Sequence, residues 1–140
     1  QSVYHFLNTH PEFGPQNIVA CGKSMGGRVA SQMAAEGLLD VRRLIFMGYP
    51  LHAPGKKDQL RDSHLYQILT PMLFFAGTRD ALCDLDRLNT VLDRLTAPWS
   101  LEVIEGGDHS FRVPKSNSIS QEDTYAQILK VTGRWLNKRL

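Results

Sequence analysis

Short apolar runs alternate with amphipathic stretches along the chain. Residues 17–22 (NIVACG), 43–48 (RLIFMG), 71–77 (PMLFFAG) and 100–105 (SLEVIE) have the length and composition of strands. The first is almost wholly apolar, as in a strand covered on both faces. Between them lie helical patterns. Residues 25–37 (MGGRVASQMAAEG) are rich in small residues, with Gly37 placed as a C-terminal stop. Residues 84–95 carry Leu85, Leu88, Leu92 and Leu95 at 3-4-3 spacing, with Asp84 suited to the first turn. Residues 121–139 form a last helix whose apolar surface comes from Tyr125, Ile128, Leu129, Val131, Trp135 and Leu136. Residues 1–9 read as the end of a helix, broken by Pro11, Gly14 and Pro15. Residues 49–64, with Pro50, Pro54 and Gly55, read as a loop, followed by a short helix around 64–69. The alternation predicts an α/β fold, a mostly parallel sheet with flanking helices and right-handed crossovers. Residues 1–140 are expected to form a single domain, with no repeat or linker.

One segment carries chemistry. Gly22-Lys23-Ser24-Met25-Gly26-Gly27 fits G-x-S-x-G at the junction of a predicted strand and a predicted helix. A serine held on such a turn has a strained backbone. Side chains at the flanking positions would collide with neighbouring backbone, so glycines are expected on both sides. The following helix aims its first N–H groups at an oxyanion, with Met25 N–H the expected donor. A bare G-x-S-x-G arises by chance in about one chain in twenty of this length; the strand-to-helix setting is what gives it weight.

Two partners follow in the order Ser…Asp…His. Asp80 comes just after the strand PMLFFAG, where a carboxylate reaches the ligand-binding rim of an open α/β sheet. Its role would be to hold an imidazole in one tautomer. His109 lies in Gly106-Gly107-Asp108-His109-Ser110-Phe111, after the fourth predicted strand, and suits a general base. Asp108 is the rival acid, but a sequence neighbour points poorly at Nδ1. His5, His10, His52 and His64 are expected to be surface or loop histidines. Lys23 either attracts an acidic substrate group or points away and pairs with a carboxylate, the second being favoured. The 49–64 loop either lines the cleft or is a solvated connector. Arg28 and Arg79 receive no role.

Composition narrows the classes. With 16 basic and 14 acidic residues the formal charge is +2, too small to argue for nucleic acid or an anionic membrane. No run of about 18 apolar residues is present, hence no membrane span is expected. Two cysteines, Cys21 and Cys83, do not make a disulfide framework; Cys21, inside an apolar run, is expected to be a buried reduced thiol. No secretion signal is visible, and the expectation is a cytoplasmic protein. A signal upstream of Gln1, or one already removed, stays open. No H-x-x-x-H or C-x-x-C spacing supports a metal, and no cofactor is expected.

These segments resemble the α/β-hydrolase superfamily, its dienelactone-hydrolase-like branch, and more closely the bacterial hydrolases of the KANL3/Tex30-like family. The carrying residues are GKSMGGRVA at 22–30, GYPLHAPGKKDQLRDSHL at 48–65, PMLFFAGTRD at 71–80 and EGGDHSF at 105–111. The resemblance implies Ser24, Asp80 and His109 as a triad, and an oxyanion donor from Met25. The implied function is hydrolysis of an ester, thioester or related acyl bond in a small-molecule substrate. A hydrolase-like scaffold in a protein complex and a peptidase are the alternatives. The family fold carries further strands before the elbow, so this chain corresponds to a fold lacking its N-terminal strands. The second oxyanion donor would then come from outside it. Residues 17–22 would sit at a sheet edge, which invites pairing with a second chain, a dimer partner or an upstream segment. The absence of Met at position 1 fits a fragment.

Overall fold

The computed structural model describes residues 2–14, 18–116 and 118–138. Among the described residues four strands form: β1 Val19–Lys23, β2 Arg43–Met47, β3 Met72–Gly77 and β4 Trp99–Ile104. They pair in parallel and in chain order, β1-β2-β3-β4, with Cys21 opposite Ile45, Phe46 opposite Phe74 and Gly77 opposite Ile104. The helices α1 Ser2–Thr9, α2 Met25–Ala35, α3 Leu85–Leu92 and α4 Gln121–Leu136 account for the helical patterns, and a 3₁₀ turn at Ser63–Gln67 accounts for the short one. Asn17, expected at the start of the first strand, lies outside the described residues, as do Gln1 and residue 139 of the expected terminal helices.

The two central strands explain the core. Arg43–Leu44–Ile45–Phe46 of β2 and all of β3 are buried. Their side chains alternate between faces. Leu44, Phe46, Met72 and Phe74 pack with Leu88, Val91 and Leu92 of α3 and with Ala34 and Ala35 of α2. Ile45, Leu73 and Phe75 pack on the other face with Ile128 and Trp135 of α4. Burying each such side chain contributes about 1.5–3 kcal/mol before entropy is counted.

Helix ends follow sequence chemistry. Gly37, at φ 71°, closes α2: its N–H bonds the Ala34 carbonyl and the next N–H, of Leu38, bonds Met33. Asp84 caps α3 by accepting the Arg87 N–H at 3.1 Å. The C-terminal end of α4 is held by buried Arg43, which donates to the carbonyls of Trp135 and Lys138 and lies 5.0 Å from the Trp135 ring centroid.

One expectation needs correction. Cys21 is exposed, not buried, because among the described strands β1 lies at the edge, with β2 on one side only. Cys83 is the buried thiol, pushed up to about 12 mainly by that burial. Both are free. Of the apolar surface of α4, Tyr125 and Leu129 stay outside the core, 51% and 73% exposed.

His52 and His64 lie in the 49–64 segment, as expected of loop histidines, with His52 buried and His64 half-buried. Buried His52 accepts the Asp84 N–H at Nε2 and donates Nδ1–H to the Ala53 carbonyl, both at 2.9 Å, which fixes one neutral tautomer. His64 Nε2 lies 2.8 Å from Ser31 Oγ and 3.1 Å from Tyr49 Oη, joining the 49–64 segment to α2. Burial, then the charge of Arg28, pushes His64 below its ordinary value, with Asp62 and Glu36 opposing. The unfolded ring takes a proton below about pH 6.5 while the folded ring resists it. Stability present above that value is therefore lost as pH falls towards the lowered folded value, and levels off beneath it. Urea melts between about pH 7.5 and about pH 5.5 should show this loss, and His64→Gln should flatten it. An unchanged slope in the variant would exclude His64 as the source.

Candidate active site

The site is assembled at the C-terminal ends of the parallel strands. Ser24 follows β1 immediately and stands at φ 50°, ψ −122°, a conformation that costs a non-glycine residue about 1–3 kcal/mol. The turn is forced by close packing beneath it. A Cβ on Gly22 would come within 2.4 Å of Gly27 N and 2.6 Å of Gly26 C. A Cβ on Gly27 would meet Gly22 O at 2.8 Å. The glycines that let strand and helix touch are therefore Gly22 and Gly27. Gly26, expected from the motif to be the second, has open space at its Cβ position.

The structure brings Ser24, His109 and Asp80 into one chain of hydrogen bonds. Ser24 Oγ lies 2.8 Å from His109 Nε2. His109 Nδ1 lies 2.8 Å from Asp80 Oδ2 and 3.0 Å from Oδ1. An ionised carboxylate only accepts, so Nδ1 carries the proton and Nε2 is left to accept from the serine hydroxyl. The Asp80 side chain is fully shielded, while that of His109 is 24% exposed. Asp80 Oδ1 also accepts the Leu82 N–H at 2.8 Å, which fixes the plane of the carboxylate. Ser24 makes no capping bond to α2. Met25 is the first residue of α2, so its N–H has no carbonyl one turn back within the helix to bond.

A family model described as "Alpha/beta hydrolase domain" matches residues 3–137. The chain belongs to the α/β-hydrolase family. Solved structures of similar fold agree. An esterase domain from Rhodothermus marinus superposes with a TM-score of 0.65 at 18% identity, covering 95% of this chain and 64% of that one. A dienelactone hydrolase from Anabaena variabilis gives 0.64 at 20% identity, covering 94% and 54%. An alpha-beta serine hydrolase homologue from Coxiella burnetii gives 0.66 at 16% identity, covering 95% and 55%. The chain thus spans roughly half to two-thirds of the length of these relatives.

Other residues of this α/β-hydrolase chain take supporting positions. Asp108 does not approach the His109 ring; its Oδ1 accepts the N–H groups of Ser110 at 2.7 Å and Arg112 at 3.0 Å. Burial opposes its charge, but those backbone N–H groups and the charges of Arg112 and Arg79 outweigh it and hold the carboxyl below the usual range. Among the described residues Lys23 pairs with no carboxylate; its Nζ donates to Ser110 Oγ at 3.1 Å. The 49–64 segment is not a free connector. His52 N–H bonds the Leu82 carbonyl, His52 Nε2 accepts from Asp84, and Lys57 pairs with Asp84. The loop that follows Asp80 is therefore strapped down by residues that sequence reasoning did not single out for this. Arg79 braces the His109 loop through its N–H to the Gly107 carbonyl at 2.9 Å.

Among the described residues no cluster of three or more His, Cys, Asp or Glu side chains is arranged to hold a metal. None of the helices among them is long and apolar enough to cross a membrane.

Proposed function

We propose that this protein is a serine hydrolase that cleaves an ester, thioester or related acyl bond in a small molecule. The observation that carries the reading is the unbroken hydrogen-bond chain from Ser24 Oγ through His109 to the shielded Asp80 carboxylate. Ser24 Oγ attacks the carbonyl carbon while its proton passes to His109 Nε2. Asp80 keeps Nδ1 protonated and stabilises the imidazolium. Met25 N–H, at the positive end of α2, receives the oxyanion. His109 then protonates the leaving group, and a water activated by the same imidazole releases the acyl group from Ser24.

The reading includes a second oxyanion donor from outside the chain, and a partner strand on the open edge of β1, from an upstream segment or a second chain. Exposed Cys21 and the single neighbour of β1 among the described strands support this. A well-behaved monomer whose β1 edge stays open would overturn it. A missing oxyanion donor lowers turnover by about a hundred- to a thousandfold. The compartment proposed is the cytoplasm, in keeping with two free thiols.

The other reading is a binding scaffold without turnover. A scaffold has no need of a strained serine hydrogen-bonded to a correctly tautomeric histidine. Fluorophosphonate labelling read by intact mass separates the two. The hydrolase gives one adduct, by displacement of fluoride from phosphorus by Ser24 Oγ, and none in Ser24→Ala. No adduct, with the β1 edge supplied by the upstream segment, would favour the scaffold.

A further inference from the structure

The base and the nucleophile come from opposite ends of the sheet. Ser24 follows β1, at one edge, and His109 follows β4, at the other, with β2 and β3 between them. The loop carrying His109 must therefore lie across the strand ends. Its anchors at the start are in the turn that follows β3: Gly106 N–H bonds Thr78 Oγ1 at 2.8 Å, and Gly107 O accepts the Arg79 N–H. Its middle is braced internally by Asp108. Among the described residues, residues 106–111 hydrogen-bond to β1 and Ser24 in two places only. One is the His109–Ser24 bond itself; the other is Lys23 Nζ to Ser110 Oγ.

The direction of Lys23 follows from the strand. Gly22 faces α2, where a Cβ would strike Gly27. The next residue points to the opposite face, towards α4. There Lys23 borders a cleft of about 380 Å³ with Met47, Ser110, Phe111 and Leu129. Its ammonium thus meets the residue next to His109, while its backbone leads directly into Ser24.

We propose that Lys23 is a positioning residue whose bond to Ser110 holds the His109 loop at the distance from which Nε2 reaches Ser24 Oγ. Nothing in this role requires Lys23 to touch substrate. It rests on the acyl-transfer reading for its effect on rate, but not for its effect on the loop.

The test combines labelling kinetics with proton NMR on the full chain. Lys23→Met and Ser110→Ala should each lower the limiting rate of fluorophosphonate labelling about three- to tenfold, the range of one hydrogen bond. The probe concentration giving half that rate should stay within about twofold, since binding is not involved. The double variant should be no slower than either single one, because both remove the same bond. Lys23→Arg should recover most of the rate. Unchanged rates, or losses that multiply in the double variant, would overturn the proposal while leaving the hydrolase reading intact. Should the chain take no label even with the β1 edge supplied by the upstream segment, the hydrolase reading falls, and the downfield Nδ1 proton of His109, bonded to Asp80, decides on the loop. Broadening in Lys23→Met and Ser110→Ala but not in Lys23→Arg supports positioning; one sharp resonance throughout overturns it.

Discussion

Asp80→Asn is expected to slow labelling and turnover at Ser24 by about ten-thousandfold while the fold persists. The geometry makes the loss steep. Asp80 Oδ1 accepts the Leu82 N–H at 2.8 Å, and Oδ2 faces His109 Nδ1 at 2.8 Å. An asparagine keeps its oxygen on the Leu82 N–H and turns its NH₂ towards Nδ1. Two donors then face each other unless the ring changes tautomer. The ring complies by moving its proton to Nε2, the atom that must accept from Ser24. Asp108→Asn is the control, because Asp108 bonds backbone N–H groups and not the ring. It should retain rates within about threefold, since its carbonyl oxygen still accepts. Labelling kinetics on both variants, with circular dichroism to verify the fold, settle it. A larger loss in Asp108→Asn than in Asp80→Asn would reverse the assignment of the acid.

Gly77→Ala should damage the site severely. Gly77 ends β3 beneath the His109 loop. An added Cβ would stand 2.2 Å from the Gly107 oxygen and 2.8 Å from that of Asp108. These are backbone atoms and cannot turn aside as a flexible side chain would. The loop must rise, and His109 rises with it. Overpacking of this kind costs about 1–3 kcal/mol, and displacing a reacting group by about 1 Å costs about a hundredfold in rate. Both losses should appear together, in urea melts and in labelling. Gly133→Ala serves as the opposite case. Its Cβ would meet nothing within 4 Å in α4, so it should stabilise the protein by about 0.5–1 kcal/mol. If Gly77→Ala kept its labelling rate, the loop would be more compliant than its packing implies.

The parts legible in the sequence were those written locally. Strand and helix periodicity needs only neighbouring residues, and so does the stop at Gly37. The elbow at Ser24 was legible because its strain demands glycines nearby, and Asp80 and His109 because each follows a strand end. What escaped depends on distant packing. Gly27 rather than Gly26 is the second obligatory glycine, which follows from the contact of α2 with β1 and not from the motif. Cys21 reads as buried within NIVACG, yet the strand order leaves it on an edge. His52 is buried and bonded to Asp84, 32 residues away, and nothing around it in the chain announces that. Arg43 reads as a strand opener, but becomes the clamp on the end of α4.

The separation of 85 residues between Ser24 and His109 also has a temporal meaning. During synthesis the elbow emerges first, followed by Asp80, and the histidine arrives only with the segment after β4. A nascent chain holding β1 to β3 therefore displays Ser24 without its imidazole partner. The Ser24–His109 bond forms only once the segment after β4 has docked, so that bond is itself a report that β1 and β4 have joined one sheet.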